Sequence, residues 1–284
     1  MTTRENKNGN GGIDIGELPE LHIVRLNDLL LHELPDRDRV SRLVDRLAAQ
    51  GRLKHPLVAA TDPGGRLLLL DGANRWTALA ELNCSHALVQ VIDMLHPALV
   101  LDTWHHAVEH IDPDEFMNRV DAMSGVASCN GETARLNGRA TLAHVRFKDG
   151  TNSHLSGASD LHERVEQLHE LTRTYHGPAG FDRVSYTNID HLLKHYEKFS
   201  MLLSFPAFTV QQLLELTERD VRLPSGVTRV LLPKRALLFN LPLEVLRAEH
   251  DDGDRDAWLQ HEIRKKVGGR AIRFYGEPTF FFDE

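Results

Sequence analysis

Apolar and polar positions alternate most legibly over Glu17–Met94. Leu21-His22-Ile23-Val24-Arg25-Leu26 reads as a short strand, and Asn27 and Asp28 suit the turn that delivers Leu31-His32-Glu33. Val40, Leu43, Val44 and Leu47 recur at helical spacing with charges on the opposite face, and Gly51 is the expected stop. Pro56–Ala60 and Arg66–Leu70 predict two strands joined through Asp62-Pro63-Gly64-Gly65 as a hairpin. Trp76, Leu79, Ala80 and Leu82 then supply the inner face of a second helix ending near Asn83, and Ala87–Ile92 predicts a closing strand.

Beyond Asp93 the pattern changes. Thr141–Phe147 predicts a strand with Lys148-Asp149-Gly150 as its turn, and Thr151–Gly157 reads as a polar, mobile loop. Asp160 opens a helix with the stripe Leu161, Val165, Leu168 and Leu171, and a second helix spans Asp190–Lys198. Thr209 with Gln212 forms a capping box ahead of Leu213, Leu214 and Leu216. Ala271–Tyr275 and Thr279–Phe282 predict two final strands around Gly276-Glu277-Pro278. The class is α+β, divided into a disordered tail (1–16), a first unit (17–97) and a second α+β unit (98–284).

Composition narrows the function. A chain of 284 residues can bury a substantial core, and it carries no apolar run approaching the roughly 20 residues of a membrane span. Met1–Gly12 is polar and Gly/Asn-rich, without a secretory or transit pattern, and the two cysteines, Cys84 and Cys129, provide neither a disulfide framework nor a thiolate zinc site. A cytoplasmic protein is expected. The net charge of -8 and the lack of a densely basic helix weigh against nucleic acid as partner. His105, His106 and His110 do not make a metal site: neighbouring histidines point in different directions, no third ligand is identifiable, and partly exposed polar residues are expected there.

The chemistry concentrates at Asp71-Gly72-Ala73-Asn74-Arg75, between a strand and a helix. Glycine permits a sharp turn, the first amides of the helix can receive phosphate oxygens, and Arg75 can add a charge-assisted contact. Leu31-His32-Glu33, Gly51–Leu57, Leu69–Arg75 and Ala78-Leu79 follow one another in an order that resembles the ParB/sulfiredoxin superfamily, most closely its ParB-like free L-serine kinases. The likeness is clearest over Ile23–Asp93, and it implies a ParB/sulfiredoxin-like nucleotide-binding domain at 17–97 packed on a substrate domain at 98–284. Where those kinases carry two histidines between glycine and arginine, this chain has Ala73 and Asn74. Backbone contacts to phosphate survive that exchange; imidazole contacts do not.

By that resemblance Glu33 assists deprotonation of the serine hydroxyl, Asp71 belongs to the catalytic centre, and Gly72, Ala73, Asn74 and Arg75 hold ATP or ADP with Mg²⁺. Trp104 would contribute to the substrate pocket. Within Pro224–Arg235, Thr228 and Arg235, with Arg229 as a neighbouring alternative, would hold serine or its phosphate, since Arg offers paired donors to a carboxylate. The implied reaction makes O-phospho-L-serine, for siderophore or specialised amino-acid biosynthesis. Two other readings use the same turn. A ParB-type DNA-binding regulator would use it as a nucleotide switch, and a sulfiredoxin-like reductase would need a reactive cysteine beside it. Ala73 follows Gly72 instead, and Cys84 lies a helix away.

Overall fold

The computed structural model describes residues 15–130, 138–176, 180–247 and 251–276. Its first part comprises β1 (Leu21–Arg25), β2 (Leu29–Leu31), α1 (Arg37–Gln50), β3 (Arg52–Leu53), β4 (Leu57–Thr61), β5 (Leu67–Asp71), α2 (Ala73–Glu81) and β6 (His86–Asp93). These strands, β3 apart, form one sheet in the order β1-β6-β4-β5-β2. The hairpin β4–β5 is antiparallel, while β2 runs parallel to β5 and β4 parallel to β6.

Both faces of this sheet are covered. Val58, Ala60, Leu68 and Leu70 point into the core of the second part, whereas Leu57, Ala59, Leu69 and Val89 pack with Val40, Leu47, Ala78 and Leu79 of the two helices. This is why Leu67–Leu70 is uninterrupted: a strand buried on both faces has no solvent side to reserve for polar residues. Each such leucine contributes about 1.5–3 kcal/mol of burial. Ala80, expected on the inner face of α2, is exposed, and Ala78 is buried in its place.

The second part comprises β7 (Val100–Thr103), β8 (His105–Glu109), α3 (Pro113–Asp121), β9 (Ala127–Asn130), β10 (Ala140–Phe147), β11 (Asn152–Gly157), α4 (Leu161–Arg173), β12 (Phe181–Val184), α5 (Ile189–His195), β13 (Phe199–Ser204), α6 (Val210–Glu218), β14 (Thr228–Leu231), β15 (Leu241–Pro242) and α7 (Asp252–Gly268). An antiparallel six-stranded sheet runs β12-β8-β13-β10-β11-β9. Val108, Val145, Leu155, Met201 and Leu203 meet Phe116, Val120, Leu168 and Leu216 of α3, α4 and α6; on the opposite face Ala107 and Leu202 meet Leu192 of α5. That is the two-residue period of a strand read off its packing.

Several expectations are corrected. Thr151–Gly157 is no loop: β11 pairs with β10 on one side and β9 on the other, burying Ser153, His154 and Ser156. Ala271–Tyr275 forms no strand, while Thr279–Phe282 and most of the expected tail lie outside the described residues. The helix expected to reach Lys198 stops at His195. His106, expected to be partly exposed, is on a strand and wholly buried. Residues 239–267, grouped by the sequence with the second unit, supply Phe239, Leu241, Leu246, Leu259 and Ile263 to the first core, and β15 pairs with β3. Among the described residues, no helix is long and apolar enough to cross a membrane.

Candidate active site

The two parts are stitched together where β2 ends. Leu223 N donates to His32 O at 2.8 Å and Leu34 N to Leu223 O at 2.8 Å, making a parallel bridge between Glu33 and Leu223. The strap 223–228 is thereby laid along the C-terminal end of β2. The cleft at this seam is lined by Glu33, Asp71–Arg75, Trp104 and Thr228, all singled out by the sequence, and by His32, Arg39, Arg183 and Gly226, which were not.

Glu33 is held by three donors. Its Oε1 accepts from Gly226 N at 2.7 Å, and its Oε2 accepts from Thr228 N at 3.2 Å and Thr228 Oγ1 at 2.5 Å. A half-buried carboxylate fixed by two amides and a hydroxyl cannot swing with solvent as an ordinary loop carboxylate does. Gly226 makes the arrangement possible. Its φ is +82°, and a side chain there would collide with the Arg183 guanidinium. Behind it, the buried His106 donates from Nε2 to Gly226 O at 2.9 Å and accepts from the Tyr175 hydroxyl at Nδ1, at 2.7 Å. Burial is the main cause that lowers the His106 pKa to about 3, so the ring is neutral, as this pairing requires.

The opposite wall is the β5–α2 junction. Gly72, at φ +116°, allows the turn, and a side chain there would press on Leu57 and the Arg75 guanidinium. Having no side chain, Gly72 leaves the start of α2 uncapped, and Ala73, Asn74 and Arg75 present the first helical turn to the cleft. Asn74 Oδ1 accepts from Asp36 N at 2.8 Å, and Asp36 in turn caps α1 by accepting from Arg39 N at 3.1 Å. The side chain that departs from the kinase pattern therefore braces the two helix starts against each other.

Arg75 is largely committed to the scaffold: Nη1 donates to Pro56 O at 2.5 Å and His55 O at 3.2 Å, and Nη2 lies 3.2 Å from Asp71 Oδ2. Asp71 also pairs with Arg235. Burial pushes the Asp71 carboxyl up, but the two guanidiniums outweigh it and hold the group below its ordinary range. Arg235 thus reaches the site through Asp71 without lining the cleft, and Arg229 is turned aside, stacked 4.8 Å from the Trp104 ring centroid and 3.5 Å from Asp102. Trp104 itself is tied to the strap through its amide, which donates to Val227 O at 3.0 Å.

Arg183 is the principal residue missed from the sequence. It comes from β12, far from every motif, and its Nε is buried without a hydrogen-bond partner. Nη2 donates to Ser225 Oγ at 3.1 Å and lies 4.0 Å from Asp36 Oδ2. Burial first, and then the like charge of Arg39, press its pKa down against the opposing pull of the Glu33, Asp36 and Asp71 carboxylates. Only the glycine of Ser225-Gly226 hinted that something must approach the backbone closely there. Among the described residues no cluster of three or more His, Cys, Asp or Glu side chains could hold a metal by itself.

This architecture, two α+β halves joined around a polar cleft, is the fold of the solved free serine kinases. A truncated SbnI from Staphylococcus aureus superposes with a TM-score of 0.70 at 20% identity, over 87% of this chain and 96% of that one. A free serine kinase in complex with ADP, carrying a glutamate-to-alanine replacement, superposes with a TM-score of 0.65 at 17% identity, over 80% of this chain and 93% of the other. By sequence, the ATP-dependent L-serine kinase SbnI of Staphylococcus aureus is 22% identical over 275 residues, 93% of this chain and 97% of its own. The ATP-dependent L-serine kinase of Staphylothermus marinus is 20% identical over 229 residues, 79% and 90% of the two chains. No protein-family model matches the chain.

Proposed function

We propose that this protein is a free L-serine kinase, transferring a phosphoryl group from ATP or ADP to the serine hydroxyl to give O-phospho-L-serine. One observation carries the reading: a carboxylate fixed by three donors, Glu33, shares a cleft with an uncapped helix start suited to phosphate. The serine kinases similar in sequence and fold support the choice of acceptor.

The donor set fits a nucleotide. Amides of Ala73, Asn74 and Arg75 receive phosphate oxygens, and an imidazole is not required for this. Asp71, kept ionised by Arg75 and Arg235, is the carboxylate suited to a Mg²⁺ that comes in on the phosphates, which suits an ion commonly bound through one carboxylate and the substrate. That ion would offset phosphate charge. Glu33 takes the hydroxyl proton, Trp104 and Thr228 shape the acceptor side, and Arg183, which lines the same cleft, offers its positive charge to the serine carboxylate. The division into a ParB/sulfiredoxin-like nucleotide unit and a substrate unit belongs to the same proposal, as do the cytoplasmic setting and a place in siderophore or specialised amino-acid synthesis.

Incubating purified protein with L-serine, Mg²⁺ and ATP or ADP, and following phosphoserine by ³¹P NMR, tests the proposal. Product is expected with at least one donor, and Glu33→Gln is expected to lower kcat by about 10²–10⁴-fold, the usual reach of general-base catalysis. Absence of phosphoserine with both donors overturns it.

A further inference from the structure

His32 is buried next to Glu33, and its two ring nitrogens fix how many protons the neighbourhood holds. Nδ1 is 2.7 Å from Leu69 O, a carbonyl that can only accept, so Nδ1 carries a proton. Nε2 is 3.0 Å from Thr228 Oγ1, and the same hydroxyl is 2.5 Å from Glu33 Oε2. With a neutral ring and an ionised Glu33, two acceptors compete for the single proton of one hydroxyl. One more proton satisfies every group: Glu33 donates to Thr228, Thr228 turns to donate to Nε2, and Nδ1–H remains on Leu69 O.

We propose that Glu33, Thr228 and His32 form a chain built one proton short, which accepts the hydroxyl proton of the acceptor at Glu33 and shares it with His32 through Thr228. The inference rests on the kinase reading and adds His32, a residue that tunes the base without reacting itself. In the step, the serine O–H bond breaks and its proton goes to Glu33. The serine oxygen bonds to the transferred phosphorus, and the bond from phosphorus to the nucleotide's leaving oxygen breaks, its electron pair staying on that oxygen. The threonine hydroxyl then rotates from Glu33 to Nε2, a movement that needs no backbone change.

The surroundings set the direction of the effect. Burial lowers the His32 pKa, partly countered by the carboxylates of Glu33 and Asp71, so the ring is neutral and Nε2 is free to accept. Arg39, Arg75 and Arg183 line the same cleft as fixed positive charges, and Asp36 lies beside Arg183. The extra proton belongs to the chain as a whole, so the acid limb of the rate profile reports the chain and not Glu33 alone.

The test begins with wild-type phosphoserine formation; if there is none, it is the kinase reading that fails. Given activity, kcat is measured from pH 5 to 9 for His32→Gln, Thr228→Val and Thr228→Ser. His32→Gln and Thr228→Val are expected to lower the plateau about tenfold or more and to displace the acid limb, with KM for nucleotide within about twofold. Thr228→Ser, which keeps the hydroxyl, is expected to restore the wild-type limb. An unchanged limb in His32→Gln overturns the chain. Histidine ¹⁵N shifts of the unmodified protein give a second decision independent of turnover: His32 is expected as the neutral Nδ1–H tautomer, and an Nε2–H ring overturns the proposal, because it would leave no acceptor for a proton.

Discussion

At the scale of single residues, Gly226 ties Glu33, His106 and Arg183 together. Its amide fixes Glu33, its carbonyl receives His106, and its missing side chain admits Arg183. Gly226→Ala adds a carbon where the guanidinium lies and forces an alanine to a φ of +82°, so about 1–3 kcal/mol of strain is expected. The cleft should suffer more than the fold. KM for serine is expected to rise at least tenfold while nucleotide affinity changes little, because Arg183 is displaced and the start of α2 is not. Steady-state kinetics with each substrate varied in turn reads the split; equal loss for both substrates would separate Gly226 from the acceptor side.

The elements differ in how legible they were. The helix α1, the hairpin β4–β5, α4 and the capping box of α6 were visible because their causes are local: a stripe at helical spacing, a Pro-Gly turn, a cap within one turn. The polar strand β11 was not, since Asn152, Ser153, His154 and Ser156 become a buried strand only once β10 and β9 flank them. The helix α7 left a readable trace in Leu259, Ile263 and Val267 at four-residue spacing behind the cap Asp251, but charges dominate the segment. Of the site, the Asp71–Arg75 turn and Glu33 were legible through motif order, whereas Arg183 and the pairing of His32 with Thr228 exist only after residues nearly 200 positions apart are folded together.

The strand β8 also gives the fold a pH dependence. A folded pKa of about 3 against an ordinary 6.5 means that the unfolded chain binds a proton that buried His106 refuses. Stability from this group is therefore complete above pH 6.5 and falls as pH drops, by about 1.4 kcal/mol per unit, until pH nears 3. Buried or half-buried His32, His86, His105 and His154 are displaced downward as well and act with the same sign. The contribution of His106 is isolated by urea unfolding of the wild type and His106→Phe at pH 7, 6 and 5. The variant is expected to be less stable at pH 7, losing its bonds to Gly226 and Tyr175, yet to lose less on acidification. Parallel slopes would mean that His106 takes up a proton as readily in the folded protein as in the unfolded chain.

At the scale of the molecule, the two cores are interlocked more than a boundary near residue 97 suggests. The β4–β5 hairpin gives Val58, Ala60, Leu68 and Leu70 to the second core, while the chain returns with Leu241, Leu246, Leu259 and Ile263 to fill the first. A cavity in either core should therefore weaken the whole. Leu259→Ala opens the first and Leu168→Ala the second; each removes a side chain 1% exposed, at an expected cost of about 2–5 kcal/mol. For a chain of this size that corresponds to roughly 4–20 °C in Tm. Calorimetry of the wild type and both variants is expected to give one transition in each case, shifted down but undivided. Nucleotide at a hundred times its Kd should restore about 2.7 kcal/mol to all three. The second effect depends on the first, since the cleft is made from both halves and a ligand bound there stabilises them only as a unit. A split endotherm for Leu259→Ala, with nucleotide shifting one component alone, would show instead that the halves unfold independently and that the phosphate turn holds its ligand without the strap 223–228.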